Sequence, residues 1–540
     1  PLGMTGTDAS SPGSGRLAWL GTSLTALLLF LSFGPLGHPF WAFIALVPAA
    51  VAAAFRPEWR DWRRAGFALS WVLWIALLVW LRHVYPPLGW LGLVLLTAYC
   101  ALYLFGWLLL LRWIFPACAG AGLPARLLAI AGLAGAWGLL EWTRATILSG
   151  FGWLPFAASQ TGNPVMLSLC AWVGPIGLSI ALVLFNLGFA RWIVRLIESY
   201  REDARLAPVG PAGWLRRLTP ELYVGLLPIA GGFLALLAAN ATKATLPHVT
   251  ITPAVVQTDF DPNAKWDGAR LQEHLRLAET MTIDVAGGRK ADFVLWPEAA
   301  LPLTLESEAY VDRLKALSAV TDTTLVIGAI DRRGAGYGNA VAVVTSEGVR
   351  KPAYAKRHLV PFGEYVPFAD FLPLRKVVPI ETDCVAGTGP SLLPLTTRQG
   401  RTFMAGALVC YEDVFPELAR EHALAGADVL VVVTNDAWYG REAGAYQHAA
   451  HSVLLAAATG LPVVRCGNAG WSGTIDPLGR AFPVLEEGSV YFRGARLATP
   501  VRIPRDRQPD TFWVRQGDWA VGLGGLCFAL AYLWRRRRQA

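Results

Sequence analysis

Val429-Leu430-Val431-Val432-Val433, followed by Thr434-Asn435-Asp436, is an apolar run with no polar residue to mark a face toward water. A strand wetted on one side alternates apolar and polar residues, whereas one that is apolar throughout is covered on both faces. The run therefore predicts a central strand of a layered α/β domain. Shorter runs of the same β-branched texture lie on either side, at His248–Gln257, Phe293–Trp296, Thr324–Ile330, Asn339–Thr345, Phe403–Cys410 and Val463–Arg465. Between them, Asn263–Ala286 and Tyr310–Ala319 carry helical periodicity. Strands alternating with helices predict an α/β sandwich over residues 245–505.

Outside that block the texture changes. The 540 residues are 54% hydrophobic and only 16% charged, with a mean hydropathy of +0.41. Soluble domains carry about 25% charged residues, so a purely soluble enzyme is excluded. The apolar and aromatic content also excludes disorder, and Gly and Pro show no repeat period. Apolar runs at 17–34, 40–55, 65–81, 88–111, 127–141, 164–190, 222–240 and 518–534 predict about eight helical spans. Residues 4–244 then hold spans one to seven, 245–505 the outer domain, and 506–540 a linker, the eighth span and a basic tail. Pro1-Leu2-Gly3 before Met4 reads as the remnant of a cleaved tag and is set aside.

Arginine placement orients the helices. One set of connectors holds Arg16, Arg56, Arg60, Arg63, Arg64, Arg112, Arg126, Arg191, Arg195, Arg201, Arg205, Arg216, Arg217 and Arg535 to Arg538; the other holds Arg82 and Arg144. Seventeen against two predicts both termini in the cytoplasm. The sandwich then lies on the outer side, the periplasm of a bacterium. The formal charge of +8 is thus a topology signal, and no nucleic-acid module accompanies it.

Three segments of the outer block join apolar runs to unusual polar residues. They are Asp292-Phe293-Val294-Leu295-Trp296-Pro297-Glu298, Tyr354-Ala355-Lys356-Arg357-His358-Leu359-Val360-Pro361-Phe362-Gly363-Glu364, and Phe403 through Val409 leading to Cys410-Tyr411-Glu412-Asp413. Ligands gather at the carboxyl ends of strands in open α/β sheets. A carboxylate, an ammonium and a thiol meet in one cleft if these segments are neighbours. A thiol must lose its proton to become a nucleophile. Glu298 can take it, Lys356 can favour the thiolate and then an oxyanion, and the Tyr411 backbone N–H can donate a second hydrogen bond. Taken singly, each residue has a plain structural reading: Cys410 as a small core side chain, Glu298 as a turn residue, Lys356 as a solvated cation. Together they describe acyl transfer through a thioester.

The Trp296-Pro297-Glu298, the Lys356 that precedes Leu359-Val360-Pro361-Phe362-Gly363-Glu364, and Cys410-Tyr411-Glu412 resemble the motifs of the nitrilase superfamily of carbon–nitrogen hydrolases. With the spans included, nearly the whole chain resembles the bacterial apolipoprotein N-acyltransferase family: an α-helical polytopic membrane domain with an α/β nitrilase-like αββα sandwich inserted before the last span. The resemblance implies Glu298 as base, Lys356 as stabiliser of the oxyanion and Cys410 as nucleophile. It adds Glu364 as a further carboxylate, Tyr411 and Glu412 beside the nucleophile, and Trp266 near the site. Asn339, Asn435 and Trp438 match weaker family positions, and Asn339 reads equally well as structural. No metal and no cofactor are implied.

The implied reaction has two steps. The Cys410 thiolate attacks an acyl ester of a phosphatidylethanolamine-like phospholipid, and a lysophospholipid leaves. The α-amine of a diacylated apolipoprotein then takes the acyl group. Such an amine has a pKa of about 7.7–8.0, within reach of a modest base. The implied location is the bacterial inner membrane, with the protein a monomer in contact with membrane lipids. The alternatives are a membrane-tethered amidase or nitrilase acting on small amides, and a transporter or scaffold with an inert outer domain.

Other features are secondary. Tyr365–Pro379, apolar and rich in Pro with Arg375-Lys376, reads either as a gate at the lipid surface or as a loop packed on the domain's own core. Glu141 and Arg144 sit at the outer end of the fifth run, and Gly150–Phe156 reads as an interfacial aromatic anchor. His448 and His451, three apart, lack a third metal ligand and are expected to be structural. The seven cysteines show no ligand or disulfide spacing.

Overall fold

Without water to satisfy backbone groups, apolar runs fold as helices. The structure is a computed structural model that describes residues 13–34, 37–85, 88–203, 218–245, 247–288, 290–334, 336–371, 373–376, 378, 380, 382–506 and 510–539. Pro1–Gly3, Arg205, Arg216, Arg217, Leu372, Val377 and Pro379 lie outside the described residues. The amino-terminal helices are α1 (Gly13–Phe30), α2 (Val47–Ala54), α3 (Trp59–Leu78), α4 (Leu88–Ile114), α5 (Leu123–Thr146), α6 (Cys170–Asp203) and α7 (Pro220–Thr245). Five stretches, Trp59–His83, Leu88–Cys118, Leu123–Ser149, Cys170–Arg201 and Pro220–Thr242, are long and apolar enough to cross a membrane. The first two runs of the sequence give shorter apolar helices, Gly15–Phe30 and Pro39–Ala54. Among the described residues all eight runs hold helices, and five of those helices meet both the length and the hydropathy of a span.

The sandwich follows. Its strands are β1 (His248–Ile251), β2 (Pro253–Gln257), β3 (Phe293–Leu295), β4 (Thr324–Arg333), β5 (Gly336–Thr345), β6 (Gly348–Ala355), β7 (Leu392–Thr396), β8 (Thr402–Val409), β9 (Val429–Thr434), β10 (Val463–Gly467), β11 (Gly473–Ile475), β12 (Ala481–Pro483), β13 (Gly494–Leu497) and β14 (Val501–Pro504). Its helices are α8 (Leu271–Ala286), α9 (Glu308–Thr321), α10 (Pro416–Ala425) and α11 (Ala443–Thr459). One six-stranded sheet runs β12-β11-β10-β9-β8-β7 and the other β13-β2-β3-β4-β5-β6. The neighbours β8, β9 and β10 are parallel, as are β2, β3 and β4.

The β9 run is buried at every residue, and the period of two explains why. Val429, Val431 and Val433 join Val255, Leu295, Val326, Val341 and Val409 in the core between the sheets. Leu430 and Val432 face the other way, into a core shared with α10, α11 and the membrane helices. The second sheet buries its outer face under α8 and α9 through Val256, Val294, Leu325 and Ile327. Four layers result.

The expected strand at His248–Gln257 is two strands. β1 leaves the sheet and pairs antiparallel with β14, His248 opposite Pro504. The expected helix at Asn263–Ala286 begins with two short 3₁₀ turns, Ala264–Trp266 and Gly268–Arg270, before α8. After β14 come α12 (Phe512–Gln516) and α13 (Trp519–Arg537). The latter packs along α5, where a Cβ on Gly135 would run into the Gly524 carbonyl. Small residues allow such close helix contact within a bundle.

Candidate active site

Strand β8 ends at Val409, and the chain turns sharply into a 3₁₀ turn, Cys410–Val414. Cys410 has φ +52°, in the left-handed region that a non-glycine residue rarely occupies. Such a turn lifts a side chain off the sheet end toward the cleft. Two further strands end at the same cleft. Beyond β3, Trp296-Pro297 delivers Glu298, and beyond β6 the next residue is Lys356. The Lys356 N–H donates to the Asn339 carbonyl at 2.8 Å, extending the β5–β6 pairing by one residue.

The side chains converge. Lys356 Nζ lies 2.9 Å from the Glu364 carboxylate and 3.6 Å from Glu298 Oε1. Asn339 Nδ2 donates to the same Glu298 oxygen at 2.7 Å. Glu364 is fixed in turn by the Val360 N–H at 2.8 Å. Burial works against the Lys356 charge, but Glu364 and Glu298 outweigh it, so its pKa stands above the usual lysine value. Burial pushes the Cys410 thiol up, and Glu298 adds to the rise against Lys356 and a hydrogen bond to Thr434. At neutral pH the resting sulfur is therefore a thiol that needs a base. Glu298 is close enough to bias it.

Glu412 ties the cleft together. It is fully buried and accepts hydrogen bonds from Tyr354 Oη (2.9 Å), Arg357 N (2.7 Å), His358 N (3.2 Å) and Val409 N (2.8 Å). The segment just after Lys356 is thereby fastened to the residue just before Cys410. Tyr411 points away from the cleft, and its hydroxyl donates to the Gly150 carbonyl in the membrane body at 3.1 Å.

The remaining residues lie further out. Asn435 accepts from Asn468 Nδ2 at 2.9 Å and braces two loops. The Trp438 ring packs at a tilt against Tyr85 of the membrane body, with centroids 5.2 Å apart. Trp266 is 55% exposed at the surface. The residue before it, Lys265, was not legible as a site residue. Its buried ammonium donates to the Glu298 carbonyl at 3.1 Å, and burial pulls it down to about 8 against the pull of Glu298. All seven cysteines are free.

Comparison with known proteins now places the chain. The family model "Apolipoprotein N-acyltransferase N-terminal domain" matches residues 25–188, and "Carbon-nitrogen hydrolase" matches 252–497. An apolipoprotein N-acyltransferase of Geobacter metallireducens is 30% identical over 97% of this chain and 96% of its own length. This chain belongs to the apolipoprotein N-acyltransferase family. Two further family members, from Allorhizobium ampelinum and Rhizobium etli, are 31% and 30% identical over 83% and 88% of the chain, and over 83% and 89% of their own lengths. As a family member the protein is an acyltransferase of the nitrilase superfamily carried on a membrane body. The carbon–nitrogen hydrolase match opens just before β2 and closes at the end of β13, so it coincides with the sandwich that carries Glu298, Lys356 and Cys410.

Proposed function

We propose that the protein moves an acyl chain from a phospholipid, through a thioester on Cys410, to the N-terminal α-amine of a diacylglyceryl-cysteine apolipoprotein. The observation that carries the proposal is the convergence of Glu298, Lys356 and the Cys410 turn at one sheet end that borders the membrane body. In the first step the Glu298 carboxylate takes the thiol proton, and sulfur attacks the ester carbonyl. The oxyanion rests against the Lys356 ammonium and the Tyr411 N–H. Collapse breaks the ester C–O bond, and Glu298 hands its proton to the departing glycerol oxygen. In the second step the amine nitrogen attacks the thioester, Glu298 takes the amine proton, and the C–S bond breaks to leave an amide. The proton returns to sulfur, and the enzyme is restored.

A lipid-derived acyl group fits the surroundings. An apolar cavity lies in the membrane body, lined by Leu29, Leu73, Trp74, Leu104, Trp107 and Phe156, with Glu141 and Arg144 also in its wall. Arg144 donates to the carbonyls of Phe151 and Trp153, in the same short segment that Tyr411 grips at Gly150. One short segment thus links a residue of the cavity wall to the neighbour of Cys410. Drawing an acyl chain into water costs about 0.8 kcal/mol per CH₂, and an apolar cavity in the membrane body lowers that cost. Phe362, Phe368 and Phe371, 49%, 58% and 86% exposed, stand on the loop that carries Glu364, and suit contact with the outer leaflet of an inner membrane.

The test is incubation of the full chain in nanodiscs with phosphatidylethanolamine, followed by mass spectrometry of the Cys410 peptide. An acyl adduct with an equivalent of lysophospholipid is expected, absent in Cys410→Ala and discharged by a diacylated lipopeptide. Ammonia release from small amides without any lipid adduct would establish a tethered amidase instead.

A further inference from the structure

Behind the nucleophile lies a second set of charges that the acyl-transfer steps do not use. Asp413, Asp436, His448 and Arg465 all have side chains with no exposure. They come from four places: the turn after β8, the turn after β9, helix α11, and strand β10. His448 Nδ1 lies 2.7 Å from Asp436 Oδ1, and Nε2 lies 2.8 Å from Asp413 Oδ1 and 3.2 Å from the Cys410 carbonyl oxygen. Arg465 pairs with Asp413 and, at 3.4 Å, with Asp436. Ser452 donates to Asp413 at 2.7 Å, and Thr434 to Asp436 at 2.9 Å.

Both ring nitrogens of His448 face oxygens that only accept, so both carry protons and the ring is an imidazolium. With that charge the four groups sum to zero, the arrangement in which buried ions are tolerated. Since Nε2 addresses the Cys410 carbonyl and not its sulfur, His448 is not the base. It instead holds the backbone of a residue in the left-handed region, a conformation that persists only where its surroundings enforce it. Thr434, which holds Asp436, also favours the ionised form of the Cys410 sulfur.

The same stretch of helix is fastened to the membrane body. Gln447 Oε1 accepts from Trp80 Nε1 and from Trp153 Nε1, each at 2.9 Å, and its Nε2 donates to the Leu77 carbonyl at 2.9 Å. The Trp153 ring lies 5.1 Å from the His448 ring and 5.5 Å from that of His451. His451 accepts from the Leu154 N–H at 3.3 Å.

We infer that His448 is a positioning residue for the nucleophile: clasped by Asp413 and Asp436, it fixes the Cys410 carbonyl and transmits the seating of the membrane body on α11 to the thiol. The inference rests on the reading of Cys410 as the acylated residue. The groups that face the ring are Asp413 and Cys410 from the turn after β8, Asp436 and Tyr439 from the turn after β9, Arg465 from β10, and His451 from its own helix. Trp153 covers its remaining face from the membrane side, with Arg144 behind it. Burial opposes the His448 charge, Asp413 favours it, Arg465 opposes it and Asp436 favours it, with the pKa raised to about 8 in net. His451, pushed down to about 3 chiefly by burial, is neutral and adds no charge.

The first experiment uses the unaltered full chain in nanodiscs with ¹⁵N-labelled histidine. One ring is expected to show both nitrogens protonated above the ordinary histidine value of about 6.5, and to disappear from the spectrum of His448→Gln. Absence of such a ring at neutral pH overturns the inference. The second measures Cys410 alkylation by iodoacetamide and single-turnover acylation by phosphatidylethanolamine. In His448→Gln both are expected to slow, acylation by about 100-fold as for a nucleophile displaced by about 1 Å, with the KM for phospholipid unchanged. Trp153→Phe, which keeps the ring contact and loses the Gln447 bond, is expected to slow acylation about three- to ten-fold. Wild-type rates in both variants overturn the inference. Alkylation involves no lipid, so the two readings separate: an unaltered chain that alkylates but never acylates refutes the acyltransfer proposal alone, whereas normal acylation in both variants refutes only the role of His448.

Discussion

Glu412 shows how much one buried carboxylate can organise. Its oxygens receive a phenol and three backbone N–H groups, and burial still lifts its pKa above the usual carboxylate value against the pull of the Arg357 and Val409 N–H groups. In Glu412→Gln an amide NH₂ replaces one acceptor and confronts those donors. A stability loss of about 1–3 kcal/mol is expected, measured by thermal unfolding, together with slowed acylation because Lys356 and Cys410 lose their shared tether. The charged quartet gives stability a pH dependence of definite sign. His448 titrates higher in the folded chain than its ordinary 6.5, at about 8. Its contribution is therefore complete below about pH 6.5 and is lost as the pH rises through about 8. Asp413 has the opposite sense: burial opposes its charge, but His448 and Arg465 hold its pKa below the usual aspartate value. Its contribution is present above the ordinary aspartate pKa of about 3.9 and is lost as the pH falls below it. Melting temperatures across pH 6–9 are expected to decline for the unaltered chain, and to decline less for His448→Gln.

Among the elements, legibility in the sequence tracked length and apolarity. β9 is recognisable because both of its faces are covered, and β3, β4, β5, β8 and β10 because each is a run of β-branched or aromatic residues entering a core. β11, β12 and β13 have only three or four residues each; they are ordered by neighbouring strands more than by propensity, so no periodicity announces them. The break between β1 and β2 is equally silent, since it arises from pairing partners far along the chain. Glu298, Lys356 and Cys410 stand out because each interrupts an apolar run in a distinctive local context. Lys265 and Arg465 do not, because a buried cation looks like a surface one until its partners are placed. Backbone crowding also acts at this scale. A Cβ on Gly328 of β4 would collide with the Pro297 carbonyl and come within 2.7 Å of Glu298 Cα. Gly328→Ala is expected to push Glu298 off Lys356 and slow single-turnover acylation about ten-fold or more, with melting temperature and acylation rate measured together.

At the scale of the whole molecule, one continuous core runs from α1–α6 through Tyr411 and Val414 to β8, β9 and α11, so sandwich and membrane body are one mechanical unit on that side. Phe368 and Phe371 project into solvent from the loop that follows Glu364. Replacing both with Ser is expected to lower phospholipid turnover in bilayers about ten-fold, through the lost burial of two aromatic side chains, while Cys410 alkylation by a soluble reagent stays unchanged. Unaltered lipid turnover would instead show that the loop does not meet the leaflet. The pairing of β1 with β14 has a separate consequence. The strand that brings the chain out of the bundle and the strand that takes it back are hydrogen-bonded neighbours, with facing Cα atoms about 5 Å apart. A module whose two ends nearly touch can be spliced into a short connection between helices without prising them apart. That gives a physical route by which a water-soluble hydrolase fold can be inserted into a helix bundle.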